Sequence, residues 1–136
     1  MSQPFKTARC ILYRDGNYLL AVHSSFWGAR QRRWGLPGGR IETGESPQTA
    51  ILRELEEELE VRLSDVMEIG AFPYKRALHM VYAAPLSGEI DDYDSRELLD
   101  IGWFSEPDVV ALKARSELHS NYELEAIRAL MQKLAP

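Results

Sequence analysis

A cluster of carboxylates between residues 53 and 60 is the part of this sequence best suited to chemistry. The segment Arg53-Glu54-Leu55-Glu56-Glu57-Glu58-Leu59-Glu60 holds five glutamates. On a helix, Glu54, Glu57 and Glu58 stand at i, i+3 and i+4, so their side chains meet on one face. Their repulsion would be offset by a hard divalent cation that binds carboxylate oxygens. The face therefore predicts a Mg²⁺ site, with Mn²⁺ as an alternative ion. The competing interpretation is a solvated acidic surface.

A helix has to present these carboxylates, and the residues before them favour one. Ser46 is a good N-cap, and Pro47 suits the first helical position. Apolar side chains recur at helical spacing and would anchor the helix on a core through one stripe: Ile51, Leu52, Leu55 and Leu59.

The segment before this helix is rich in turn formers and adds a second part to the pattern. Trp34-Gly35-Leu36-Pro37-Gly38-Gly39-Arg40 predicts a short strand edge that runs into a loop. Together the two segments read Gly39-x5-Glu45-x7-Arg53-Glu54-Leu55-x-Glu57-Glu58-x-x-Val61. Through this motif the chain resembles the Nudix (MutT-like) pyrophosphohydrolases. It departs from the family pattern at Glu60, where the family has a glycine, so the helix is expected to extend or to end differently.

The resemblance implies an α/β chain with the Nudix fold, in which a mixed β-sheet is sandwiched between helices (α/β/α). Residues 1–136 would form a single Nudix hydrolase domain. The family hydrolyses a nucleoside diphosphate linked to another group, using magnesium or a similar ion. Carried over by motif position, Glu54, Glu57 and Glu58 are the metal ligands, and Arg53 orients a catalytic glutamate. Alternatively, Arg53 only pairs with glutamates of its own helix.

A general base outside the motif is suggested by a second spacing. In MutT-like members, a glutamate six residues before a tryptophan can serve, and here Glu97 precedes Trp103 by six residues. Its residue type and loop position suit the role. The alternative is a solvated loop acid, in which case a glutamate of the motif would act as the base.

Substrate contacts are less specific in the sequence. Arg30 and Arg33 lie in a basic, aromatic loop, where guanidinium groups could bind phosphates. Gly38 and Gly39 would let the backbone approach the metal and the phosphates, unless they form a plain turn. Asn121 occupies a place similar to that of a purine-reading asparagine in MutT-like proteins, but it also lies in a possible capping box.

Three histidines have no metal-ligand spacing, and no role is predicted for any of them: His23, His79 and His119. The remaining patterns predict mostly strands, with one early helix and two late ones. Asp15-Gly16 joins a hairpin, and Ser105 and the box Ser120-Asn121-Tyr122-Glu123 begin the late helices. The predicted strands span residues 7–13, 17–23, 61–74, 77–86 and 98–104.

Composition bounds the protein's class and partners. The 136 residues carry a net charge of −5, which argues against a stable complex with nucleic acid but not against a small nucleotide. A lone Cys10 excludes an internal disulfide framework and fits a reducing compartment. The N-terminal residues lack a signal-peptide pattern and no apolar run reaches about 18 residues. A cytoplasmic protein without membrane contact is expected, either a monomer or a homodimer.

The sequence is compatible with three functions. The first is hydrolysis of a (deoxy)nucleoside triphosphate, ordinary or oxidised, to a nucleoside monophosphate and pyrophosphate. The second is the same chemistry on a nucleotide sugar or ADP-ribose. Those relatives often carry a proline about 16 residues after the motif, where this chain has Ala77. The third is a nucleotide-binding module without turnover, although such modules usually lose motif carboxylates, and none is lost here.

Overall fold

The hairpin predicted at the N-terminus opens the fold in the computed structural model, which describes residues 4–24 and 32–136. Asp15 and Gly16 both have positive φ angles, 49° and 75°, as a type I′ turn requires. The elements follow in the order β1 (Phe5–Arg14), β2 (Asn17–His23), β3 (Gly38–Arg40), α1 (Pro47–Leu59), β4 (Met67–Tyr74), β5 (Ala77–Pro85), β6 (Leu98–Ser105), α2 (Glu106–Ala114) and α3 (Glu123–Leu134).

The segment that leads into α1 lies between the two strands of the hairpin. β1 and β2 pair with each other only beside the turn, at Tyr13 with Tyr18 and at Arg14 with Asn17. Further from the turn, β3 pairs with β1, and Gly35 pairs with Ala21 of β2. The segment therefore joins the middle of the sheet, next to the start of the acidic helix.

The sheet is mixed, as expected. Its strands run in the order β4-β5-β1-β2-β6, with β3 paired to β1. β1 and β5 are parallel, whereas the pairs β2–β6 and β4–β5 are antiparallel.

Each face of the sheet has its own hydrophobic core. On one face, Ile51, Leu55 and Leu59 of α1 pack in a cluster with Leu12 and Leu19 of the hairpin. On the other, helices α2 and α3 pack in a second cluster through Val109, Leu112, Ala126, Ile127 and Leu130. This arrangement confirms an α/β fold with helices on both faces.

The end of α1 decides between the two expectations for Glu60. The helix stops at Leu59, and Glu60 takes the left-handed conformation with φ 55° and ψ 31°. The Val61 amide donates to the Leu55 carbonyl at 3.2 Å, which closes the helix end. The helix therefore does not extend. The prediction that a strand begins at Val61 was wrong, because β4 begins at Met67 and Val61 is a buried contact in the α1 core.

The start of the last helix also differs from the prediction. The Glu123 carboxylate accepts the Ser120 amide at 2.9 Å, which is one half of the expected box. Asn121 has a φ of 67°, however, and the N-cap position falls on Tyr122, which makes no side-chain cap bond. The left-handed turn at Asn121 thus moves Ser120 out of the capping position. Among the described residues, no helix is long and apolar enough to cross a membrane.

Candidate functional site

The acidic face of α1 borders a polar cleft. Glu54, Glu57 and Glu58 contribute to it, and their side chains are 15%, 58% and 3% exposed, respectively. Glu97, which lies 39 residues beyond Glu58, lines the same cleft. The cleft has a volume of about 530 Å³, and its described lining is Glu42, Arg53, Glu54, Glu57, Glu58, Asp94, Arg96 and Glu97.

Arg53 ties the loop before α1 to the acidic face. Its Nε and Nη2 atoms donate to Glu45 Oε2 and Oε1 at 2.7 and 2.8 Å, a bidentate pair. Its Nη1 atom donates to Glu54 Oε1 and Glu57 Oε2, both at 3.1 Å. The guanidinium therefore contacts two of the three carboxylates and orients them. Of the predicted intrahelical partners, Glu57 is observed, whereas Glu56 pairs with Arg62.

The two glycines of β3 are required by close packing and do not form a plain turn. A Cβ at Gly39 would lie 2.7–2.8 Å from the Glu54 carboxylate, so only glycine leaves that carboxylate in place. Gly38 has a φ of 136°, and a Cβ there would lie 2.2 Å from the Ala8 carbonyl oxygen. The Gly38 amide donates to Glu58 Oε1 at 3.0 Å. The glycines therefore let β3 lie against both β1 and the acidic helix.

The carboxylates differ in their surroundings. Burial, together with the neighbouring Glu54 carboxylate, raises the pKa of Glu58 to about 8. Burial also raises the pKa of Glu54, against the opposing effect of Arg53. These two neighbouring carboxyl groups are both costly to ionise, so a bound cation would stabilise their charged forms.

The donor set fits a hard divalent cation, because carboxylate oxygens are the ligands that Mg²⁺ and Mn²⁺ prefer. Within the described ranges, no three His, Cys, Asp or Glu side chains are already gathered closely enough to hold an ion. Arg53 Nη1 instead bonds to both Glu54 and Glu57, so the guanidinium supplies positive charge to these two carboxylates.

The loop that carries Glu97 is fixed by its backbone. The Asp94 amide donates to the carbonyl oxygen of Glu58 at 2.9 Å, and the Ser24 amide donates to that of Glu97 at 2.8 Å. The loop is thus bonded to both α1 and the end of β2. Arg96 adds a cation to the cleft and pairs with Asp94. The residue patterns did not predict a role for Glu42, Asp94 or Arg96 in the cleft, although Asp94 and Arg96 stand close to Glu97 in the sequence.

The remaining predicted substrate contacts lie elsewhere or beyond the described ranges. Arg30 falls in residues 25–31, outside the described residues. Arg33 and Asn121 are not in the described lining of the cleft. His23, for which no role was predicted, has its Nδ1 atom 3.5 Å from Glu58 Oε2.

Comparisons with known proteins agree with this fold. The family model described as NUDIX domain matches residues 4–124. An NAD-capped RNA hydrolase NudC of Pectobacterium carotovorum is 29% identical over 102 residues, which cover 71% of this chain and 38% of that protein. An RNA pyrophosphohydrolase of Francisella tularensis is 46% identical over 48 residues, 34% of this chain and 31% of that protein. The match thus spans less than half the length of these curated relatives.

A solved structure has a similar fold. The MutT NUDIX hydrolase from Burkholderia pseudomallei is 28% identical and superposes with a TM-score of 0.66. The superposition covers 79% of this chain and 87% of that one.

Proposed function

The chain belongs to the Nudix family, and from that premise we propose that it is a divalent metal-dependent hydrolase that cleaves a diphosphate bond in a nucleotide. The observation that supports this most is the cleft in which Glu97 meets the acidic face of α1, beside two arginines. This reaction needs carboxylates to hold a metal ion, a carboxylate outside the helix to act as a base, and cations to bind the phosphates.

Glu54, Glu57 and Glu58 are the residues that would hold Mg²⁺, or Mn²⁺ in its place. Such an ion neutralises the charge that develops on the diphosphate and lowers the pKa of a bound water. Arg53 keeps Glu54 and Glu57 on the cleft side of α1 through its bonds at 3.1 Å. Gly39 leaves the space that the Glu54 carboxylate occupies.

Glu97 is our candidate for the general base. It lines the same cleft as the acidic face of α1, and its backbone carbonyl accepts the amide of Ser24, the residue after β2. A carboxylate in this place could accept a proton from an attacking water and release it to solvent. If Glu97 has no such role, Glu54 is the next candidate.

Substrate recognition involves other residues. Arg30 and Arg33 are proposed to contact phosphates, Gly38 and Gly39 to let the substrate approach the backbone, and Asn121 to bind the base. Asn121 is exposed and left-handed, so its amide is not used as a helix cap. The Nε atom of Arg33 is buried and has no hydrogen-bond partner among the residues described.

The substrate class that we favour is a (deoxy)nucleoside triphosphate, ordinary or oxidised, with a nucleoside monophosphate and pyrophosphate as products. A nucleotide sugar or ADP-ribose is the second candidate. The 29% identical relative is an NAD-capped RNA hydrolase. NAD, a dinucleotide joined by a diphosphate, is therefore a further compound to test as a substrate.

A substrate panel with product identification tests this function. The protein would be incubated with Mg²⁺ and, separately, dGTP, 8-oxo-dGTP, ADP-ribose, a UDP-sugar and NAD, and the products separated by anion exchange. We expect turnover of at least one compound and near-complete loss in Glu57→Gln, which removes a charged ligand on an exposed position. No turnover above the variant's level with either Mg²⁺ or Mn²⁺ would instead indicate a binding module.

Ion binding has a test that does not depend on turnover. An ion that binds only the folded state stabilises it by about 2.7 kcal/mol at a hundredfold excess over its Kd. Mg²⁺ should therefore raise the Tm at neutral pH, and Glu57→Gln should reduce the increase. An identical Tm with and without millimolar Mg²⁺ would contradict a metal site in the substrate-free protein.

A further inference from the structure

The Glu58 carboxylate is held from behind by residues of the sheet. It is the most buried of the three acidic side chains, at 3% exposure. Its Oε1 atom accepts the Gly38 amide of β3 at 3.0 Å, and its Oε2 atom lies 3.5 Å from His23 Nδ1 of β2. Each carboxylate oxygen thus has a contact from a different strand.

The imidazole of His23 is fixed on its other side by Arg9 of β1. His23 Nε2 lies 3.3 Å from Arg9 Nη1 and 3.2 Å from the Leu36 carbonyl oxygen. Arg9 Nη1 also donates to the carbonyl of Gly38 at 2.9 Å. The side chains of Arg9 and His23 are both buried. Residues of β1, β2 and β3 are thus linked in one set of contacts behind the Glu58 carboxylate.

The donors and acceptors in these contacts determine which ring nitrogen of His23 must carry a proton if the ring is to support the Glu58 carboxylate. A carboxylate that holds a divalent ion is ionised and only accepts hydrogen bonds, so His23 can support Glu58 in that state only with a proton on Nδ1. Arg9 Nη1, which only donates, lies 3.3 Å from Nε2, and the Leu36 carbonyl oxygen lies 3.2 Å from the same atom. The opposite tautomer would place a lone pair against the carboxylate.

We propose that His23, oriented by Arg9, is a positioning residue that holds the Glu58 carboxylate in the orientation needed to bind a divalent ion. The proposal rests on the proposed function, since it assigns Glu58 to the metal site. Residues that hold a metal ligand from behind typically contribute a factor of about 10–100 in metal affinity. An apolar residue at position 23 would leave Glu58 Oε2 facing a group that cannot donate.

Two substitutions separate this role from simple packing. His23→Leu fills the space without a donor, whereas His23→Asn can place an amide NH near the position of Nδ1. We expect the Kd for Mn²⁺ alone, measured by electron paramagnetic resonance of the free ion, to rise about 10–100-fold in His23→Leu and to be largely restored in His23→Asn. His79→Leu is the matched control, because His79 is a buried histidine of β5 whose ring contacts Tyr122 at 2.7 Å. It should leave the Kd unchanged.

The tautomer of His23 provides a spectroscopic test that does not involve catalysis. The chain has three histidines. ¹⁵N-histidine labelling of the wild type, His23→Leu and His79→Leu therefore assigns the rings of His23 and His79 directly, and that of His119 by elimination. With saturating Mg²⁺, Nδ1 of His23 should carry a proton. A ring protonated on Nε2 alone, or a folded His23→Leu that binds Mn²⁺ as tightly as the wild type, would overturn the proposal. Failure of the proposed function looks different, because the wild type itself would then bind no Mn²⁺.

Discussion

Arg53 and Glu45 form a bidentate ion pair, with bonds of 2.7 and 2.8 Å, that joins the acidic helix to the loop before it. Both side chains are largely buried, at 22% and 14% exposure. The hydrogen bonds from Arg53 lower the pKa of Glu45, so the pair is ionised at neutral pH. Because the same guanidinium contacts Glu54 and Glu57, the pair connects the stability of the loop to the geometry of the cleft.

The first prediction concerns the strength of this pair. A double-mutant cycle with Glu45→Ala and Arg53→Ala should give a coupling energy of about 0.5–3 kcal/mol in urea unfolding, as is usual within one ion-pair network. Glu56 and Arg62 offer a control from the same region, at 3.1 Å but with side chains 53% and 84% exposed. Their coupling should be at most a few tenths of a kcal/mol, because solvent screens exposed pairs. Equal coupling in the two cycles would argue against a special role for Glu45.

The second prediction concerns Glu97. If it is the general base, Glu97→Gln should lower kcat by roughly 10²–10⁴-fold, with little change in KM, on the best substrate of the panel. The amide keeps the shape of the side chain but accepts no proton. Asp91→Asn removes a loop acid that is not in the described lining of the cleft, and it should leave kcat unchanged. A kcat for Glu97→Gln within about threefold of the wild type would move the base to Glu54.

The third prediction separates two adjacent glycines. Gly39→Ala places a methyl group within 2.8 Å of the Glu54 carboxylate, the movable end of a side chain. The protein should fold, but Glu54 should be displaced, with weaker Mn²⁺ binding and lower activity. Gly38→Ala instead meets the Ala8 backbone at 2.2 Å and keeps a φ of 136°, so it should fold poorly. Circular dichroism combined with an ion titration distinguishes the two results. Normal ion binding by Gly39→Ala would be incompatible with this packing.

The fourth prediction follows from the end of α1. Glu60 adopts a left-handed conformation that costs a residue with a Cβ about 1–2 kcal/mol. Glu60→Gly should raise the free energy of unfolding by about 0.5–1 kcal/mol, after the greater flexibility of glycine in the unfolded chain is subtracted. Glu60→Ala is the control, because it removes the same carboxylate but keeps the strain. If both variants gained equally in urea unfolding, the cause would be the negative charge at the helix end.

The fifth prediction concerns pH and Glu123, which is 1% exposed. Burial raises its pKa from 4.5 to about 7 in the folded state. The folded protein therefore holds more protons than the unfolded chain between these values, and the free energy of unfolding falls as the pH rises through that window. The expected loss is about 3 kcal/mol. In Glu123→Gln, which mimics the protonated acid, this contribution should vanish, while that of Glu58 remains. Urea unfolding near pH 5 and pH 8 would show it, and equal pH dependence of both proteins would refute it.

Local spacing was sufficient to predict the parts of the molecule that depend on neighbours along the chain. The i, i+3, i+4 pattern placed Glu54, Glu57 and Glu58 on one helix face, and Asp15-Gly16 predicted the hairpin turn. Ser46 and Ser105 cap their helices as expected, through bonds to Thr49 and Asp108. Each of these features involves residues at most four positions apart, so periodicity and turn chemistry determine them.

Other features were decided by tertiary packing. Val61 reads as the start of a strand, yet its side chain completes the core beneath α1, and the strand begins at Met67. Asn121 reads as part of a cap, but its left-handed conformation shifts the helix start to Tyr122. His23 and Glu58 lie 35 positions apart, and only the sheet and the packing of α1 against it bring them together. Contacts of this range depend on strand order and burial, which residue spacing alone does not encode.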